Sequence, residues 1–202
     1  MNALRVRRFG VLGVFALAML CACGGGSTPA AGSNSAPSPN STAFSASAAS
    51  GNLIPLPSAA GYGGDLEIGH GSGSALLTLS TSAPSGAPSP PISCCEQPLV
   101  YVTIFAQTAF SLDTLPGLNP LTVPASKTVA GLYRLITYGA LSSGTLNSGR
   151  VGWSAGNAIC FPMIGSPIDL QAGQSLYSVV VADSVLPTPI GSAPPCPQPP
   201  PP

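Results

Sequence analysis

Pro98-Leu99-Val100-Tyr101-Val102-Thr103-Ile104-Phe105-Ala106 decides the fold class of this chain. The run is dominated by β-branched and aromatic residues, whose side chains pack well on a pleated, half-buried surface. Alternation sets Val100, Val102 and Ile104 on one face and Leu99, Tyr101 and Phe105 on the other. Both faces are apolar, so the expected element is a central strand of a sandwich.

Working outward, the stretch from about Gly61 to Leu186 repeats this theme in short apolar runs broken by Gly, Pro, Asn and Ser. Ala75 to Thr81 carries Leu77 and Leu79 on one parity. Further candidates are Phe110 to Leu112, Leu121 to Val123, Leu132 to Tyr138, Gly149 to Trp153, Ala158 to Phe161 and Leu176 to Ala182. None is flanked by a helix of three turns, so the expectation is an all-β antiparallel sandwich of about eight strands over residues 61–186. A turn at Gln171-Ala172-Gly173 should lead into the last strand, and the only indole, Trp153, reads as core or rim packing. From Gly71 to Asp183 this order of strands, with Gly152-Trp153 and the Gln-Ala-Gly turn, resembles an uncharacterised group of immunoglobulin-like domains on bacterial surface lipoproteins. That resemblance implies an immunoglobulin-like fold and no particular activity.

The flanks read differently. Met1 to Gly10 has three arginines and no acid, and Val11 to Leu20 is a run of about ten apolar or small residues. That length fits the apolar region of an export signal, whereas a bilayer span takes about twenty residues. Leu20-Cys21-Ala22-Cys23 then resembles the lipobox of bacterial lipoproteins, with an aliphatic residue three before the modified cysteine and a small residue directly before it. The resemblance implies that residues 1–22 are a signal peptide and that Cys23 becomes the lipidated first residue. Its diacylglyceryl group and amide-linked chain, palmitate-like acyl groups, would anchor the protein, because two or more chains hold a membrane stably where one does not. Arg7-Arg8-Phe9 resembles a twin-arginine signal but lacks the spacer before the phenylalanine, which favours ordinary Sec export. Gly24, in place of aspartate, resembles the outer-membrane sorting pattern of diderm bacteria. The implied location is the cell envelope.

Residues 23–60 are mostly Gly, Ser, Ala, Pro, Asn and Thr, with Phe44, Leu53, Ile54 and Leu56 as the sizeable apolar residues. So little apolar surface cannot offset the entropy of ordering the backbone, and a disordered tether is expected there. Residues 187–202, ending Pro194-Pro195-Cys196-Pro197-Gln198 and four prolines, read as a proline-rich tail with a polyproline II preference.

Charge excludes one class of partner. Only 6% of the 202 residues are charged. Setting aside Arg5, Arg7 and Arg8 in the signal leaves Lys127, Arg134 and Arg150 against six acids, a net charge of −3. Three scattered cations give no electrostatic footprint for nucleic acid.

Four cysteines follow Cys23: Cys94, Cys95, Cys160 and Cys196. An even number in an exported chain reads as two disulfides. A bond between the adjacent Cys94 and Cys95 would close a strained ring, so each is expected to reach a distant partner, one Cys160 and the other Cys196. Loops of that length stabilise by roughly 4 to 5 kcal/mol in the chain-entropy account. Adjacent cysteines suit tetrahedral zinc poorly, and no metal site is expected.

Catalytic signals are sparse. His70 is the only histidine, in Gly69-His70-Gly71-Ser72-Gly73-Ser74, a segment that reads as a solvated loop. A triad with Ser72 and Asp65 is formally available, without the G-x-S-x-G elbow that exposes such a nucleophile. Asp65, Glu67, Glu96, Asp113, Asp169 and Asp183 form no paired-carboxylate motif for glycoside hydrolysis. Asp65 and Glu67 share a parity and have the oxygen chemistry of a calcium ligand, though two acids in a glycine-rich stretch usually stay solvated. No cofactor motif is present. The expected function is thus a lipid-anchored, non-catalytic module that binds an envelope polysaccharide or protein or acts as a structural spacer. The alternative is an exported hydrolase using His70.

Overall fold

The computed structural model describes residues 40–46, 52–94, 96–127, 132–141, 144–155 and 157–182, all within the second of two units, Gly32–Pro202. Cys23, the signal segment and the proline-rich tail lie outside the described residues.

The fold is all-β and antiparallel. Among the described residues there are twelve strands: β1 Ser41–Ala46, β2 Asn52–Pro55, β3 Gly63–Ile68, β4 Gly71–Ser80, β5 Gln97–Ala106, β6 Phe110–Leu112, β7 Gly117–Thr122, β8 Leu132–Leu141, β9 Gly144–Ala155, β10 Ala158–Phe161, β11 Ile168–Leu170 and β12 Ser175–Ala182. Each of the eight segments expected from sequence falls on one of these. The count of about eight is corrected to twelve by β1, β2, β3 and β11. These four lack the apolar runs that betray a strand: β1 is Ser-Thr-Ala-Phe-Ser-Ala, β3 opens on two glycines and holds two acids, and β2 and β11 have four and three residues.

The tether boundary also moves. Within the stretch assigned to residues 23–60, β1 pairs with β4 and β2 with β3. Composition misleads here because ordering is supplied from outside the segment. Phe44 is buried with its ring edge-on to Phe110 at 5.6 Å, and Leu56 is buried as well. Ala46 pairs with Gly73 and Asn52 with Ile68, so six steps along one arm answer five along the other. β1–β4 and β2–β3 are thus two antiparallel pairs of one ribbon, with registers that differ by one residue.

Connectivity forces the sheet to curl. In the order β11-β6-β4-β5-β12-β8-β9-β10-β7-β3-β2, six strands separate β4 from β3, yet only Gly69 and His70 join them in the chain. A flat sheet would set those strands roughly 34 Å apart. Three steps of chain, from Ile68 to Gly71, span about 11 Å at most. The sheet therefore wraps round a core in which Ile68, Ala75, Leu77, Val100, Leu115, Leu121, Phe161 and Val180 are fully buried.

A second, smaller core lies on the opposite face of β5, β12 and β8. Tyr101, Ile136, Tyr138, Val179 and Val181 form it, and Ile92 packs on it from the segment before β5. That segment is pinned at its end by Glu96, which is buried, pairs with Arg134 Nε at 3.1 Å and accepts a hydrogen bond from the Ser93 N–H at 2.7 Å. Two apolar faces on β5 are thus explained by two cores.

Small residues set close approaches where the layers meet. A Cβ on Gly152 would run into the Phe161 ring, so the glycine of Gly152-Trp153 makes the seat for that ring. The indole of Trp153 lies outside the described side chains. Gly173, at φ +85°, makes the expected turn into β12, where the Gln171 N–H donates to Gln174 Oε1 at 2.7 Å.

Candidate functional site

Gly69 to Ser74 is not the solvated loop expected of it. Gly71 to Ser74 open β4, and His70 occupies the bend just before. Within β4 the strand period of two places Gly71 and Gly73 on one side and Ser72 and Ser74 on the other. The glycine side leaves no room for a side chain. A Cβ on Gly69 would strike the Asp113 carboxylate, one on Gly71 the Ser111 carbonyl, and one on Gly73 the Ala109 carbonyl. Gly73 also holds φ at +109°, a conformation that glycine alone adopts readily.

The polar side meets a matching series on β6 and the chain before it. His70 Nδ1 lies 3.3 Å from Asp113 Oδ2, and the Asp113 N–H donates to the His70 carbonyl at 2.9 Å. Ser72 and Ser111 share a hydroxyl hydrogen bond of 3.0 Å. Ser74 and Thr108 share one of 3.1 Å, with the Ser74 N–H donating to Thr108 Oγ1 at 2.9 Å. A third column comes from β11, where Asp169 stands opposite Ser111. Directly opposed residues in an antiparallel pair share a face, so Ser72, Ser111 and Asp169 form one cross-strand row. Over it opens a cleft of about 400 Å³ lined by Ser72, Ala109, Phe110, Ser111, Asp169, Leu170 and Gln171. We refer to this surface as the ledge.

The sequence-derived triad is not what forms. His70 takes Asp113 as its carboxylate partner, Asp65 stands opposite Pro55 on β3, and the Ser72 hydroxyl is bonded to Ser111. His70 and Asp113 are both about half exposed, at 57% and 50%. Sequence reasoning missed Asp113 as the partner of His70, and Ser111 and Asp169 as row-mates of Ser72, because they come from β6, the residue that follows it, and β11. The alternation Gly-His-Gly-Ser-Gly-Ser was the available signal, since it has the period of a strand.

The other acids have separate settings. Glu67 accepts a hydrogen bond from Asn119 Nδ2 at 3.3 Å, and Glu96 is spent on Arg134 and Ser93. Among the described residues no group of three or more His, Cys, Asp or Glu side chains could hold a metal ion. Cys160 is buried on β10 and disulfide-bonded, and Cys94 is exposed before β5. Cys95 and Cys196, the remaining members of the expected pairings, lie outside the described residues.

A further polar cluster sits inside the sandwich. Arg150 is buried, donating from Nη1 to the Pro162 carbonyl at 2.9 Å and from Nη2 to Thr137 Oγ1 at 3.2 Å, while Thr137 and Ser178 share a hydroxyl bond of 3.0 Å. Burial pushes the Arg150 guanidinium down to about 10, which leaves it charged at neutral pH. Its bonds tie β9 to β8 and to the chain after β10.

Known proteins add nothing to this geometry: no family model, curated protein or solved structure matches the chain.

Proposed function

We propose that this protein is a lipid-anchored component of the cell envelope whose β-sandwich is a non-catalytic binding or structural module. The observation that carries the non-catalytic reading is the state of the ledge hydroxyls. A serine nucleophile needs a base within hydrogen-bond reach of its oxygen. Ser72 and Ser111 are bonded to each other, as are Ser74 and Thr108. The hydrolase reading draws on the His70–Asp113 pair, because a carboxylate that orients an imidazole is part of general-base machinery. That pair is half exposed at the end of the ladder, and among the described residues no hydroxyl is hydrogen-bonded to it.

Anchorage rests on the lipobox-like Leu20-Cys21-Ala22-Cys23, and the disulfide at Cys160 supports an oxidising compartment. With β1 starting at Ser41, seventeen residues lie between Cys23 and the sandwich. They span at most about 60 Å, which keeps the domain close to the membrane that holds it. Mass spectrometry of the mature N-terminus tests the reading. An acylated Cys23 is expected, with Cys23→Ala released to the soluble fraction and Cys21→Ala retained. A mature chain with an unmodified N-terminus elsewhere overturns it.

A further inference from the structure

We infer that the ledge of β4, β6 and β11 binds an uncharged, polyhydroxylated chain, a neutral glycan. The inference rests on the reading of the domain as a binding module and goes on to name the ligand class.

The chemistry of the ledge selects that class. Hydroxyls of Ser72, Ser111, Ser74 and Thr108 can each donate and accept, and the Gln171 amide can do both. The Asp169 and Asp113 carboxylates offer acceptor oxygens, so they call for hydroxyl donors and disfavour anions. Vicinal hydroxyls of a sugar ring satisfy such a set, whereas a phosphate or uronate meets like charge. A protein partner is less well served. Protein interfaces have an apolar or aromatic centre, and the one large apolar side chain exposed among the described residues is Val151, on β9 and away from the ledge.

Geometry favours a chain over a single small molecule. From His70 to Ser74 the ladder runs roughly 14 Å along β4. The cleft of about 400 Å³ is within the usual size of a ligand site but open to solvent, so it seats a segment rather than enclosing a ligand. The donors are held in place before binding. Gly69, Gly71 and Gly73 let β4 and β6 approach closely, and the cross-strand hydrogen bonds fix each hydroxyl. Preorganisation of this kind lowers the entropy cost of association.

The test is a chemical-shift titration of the full mature chain, isotopically labelled, with cellohexaose, maltohexaose and the acidic hexamer of galacturonate. Saturable shifts confined to residues 70–74, 108–113 and 169–171 are expected with a neutral hexamer, with a Kd on the order of 1 mM. The acidic hexamer should bind at least tenfold more weakly, and Asp169→Ala should weaken the neutral hexamer at least fivefold. Asp169 is exposed at a sheet edge, so this variant should keep the wild-type unfolding midpoint. Absence of saturable shifts with both neutral hexamers overturns the ligand class, as does equal or tighter binding of the acidic one or indifference to Asp169→Ala. Chromatography of the same samples separates the two readings. Shortened oligomers would overturn the non-catalytic reading and leave the ligand class standing.

Discussion

β4 and β5 are neighbours in the sheet, paired from Ala75–Ala106 to Ser80–Tyr101, and yet they are built to opposite designs. Along β5, Val100, Val102 and Ile104 face the main core while Tyr101 faces the second. Along β4, Ala75, Leu77 and Leu79 face the main core, and the opposite face carries Ser72 and Ser74. The difference is in what lies outside the sheet. Over β5 the chain returns with Ile92 and is fastened by Glu96 and Arg134. Over the start of β4 stand the open cleft and its hydroxyls. A strand with two apolar faces marks a place where the protein covers itself, and one with a single apolar face marks a surface left for water or a ligand.

Truncations on the two strands and their neighbours sharpen that contrast. Leu77→Ala, at a fully buried position of the main core, should cost about 3 kcal/mol. Val179→Ala, equally buried but in the second core, should cost about 2 kcal/mol, the loss of two methyl groups and of their packing. Urea unfolding measures both. A cost at Val179 below 0.5 kcal/mol would show that the outer face of β5 and β12 is not a core.

A smaller effect is confined to alkaline pH. Burial, then the neighbouring Tyr101 and Tyr177, push the Tyr138 phenol up from 10.0 to about 12. Its ring stacks on Tyr177 at 5.7 Å, and its hydroxyl is buried with no hydrogen-bond partner among the described residues. Between about pH 10 and 12 the folded chain keeps a proton that the unfolded chain has released. Stability from this group is therefore whole below pH 10 and is lost as the pH rises through 12, by roughly 2 to 3 kcal/mol in all. Arg150, depressed from 12.5 to about 10, works in the opposite sense over this window, because its unfolded form binds the extra proton. Comparing wild type with Tyr138→Phe at pH 9 and pH 11.5 cancels the arginine. The variant should be as stable as wild type or slightly more so at pH 9, and should gain on it by about 1 to 2 kcal/mol at pH 11.5. A constant difference would mean that the phenol is not held from water.

The least effect is expected on the ledge itself. Ser72→Ala removes one exposed hydroxyl bond on the same strand as Leu77, and its unfolding free energy should stay within about 0.5 kcal/mol of wild type. A loss above 1.5 kcal/mol would mean that the ladder braces the fold rather than standing ready for a ligand.

How far these contrasts were legible depends on the period and length of each segment. The apolar faces of β5 could be read directly, as could Leu77 and Leu79, because alternation along a ten-residue strand carries its own signal. β11, with three residues, has no room for a period. Ser41–Ala46 looks like linker because its burial is supplied from elsewhere in the chain, as by Phe110 of β6, 66 positions away from Phe44. The Gly-His-Gly-Ser-Gly-Ser run hid its strand behind glycines that normally weaken one, and here the glycines are what permit the pairing.

The sequence by itself determined the class of fold, the eight strongest strands, the turn before β12 and the low charge of the chain. These follow from local pattern and composition, which act over a few residues at a time. Only the tertiary structure decided that His70 would pair with Asp113 rather than Asp65, that Ser72, Ser111 and Asp169 would share a row, and that the ribbon of β1 to β4 would curl the sheet. Those outcomes depend on register between strands distant in the chain, and a shift of one residue along β4 would turn Ser72 and Ser74 towards the core.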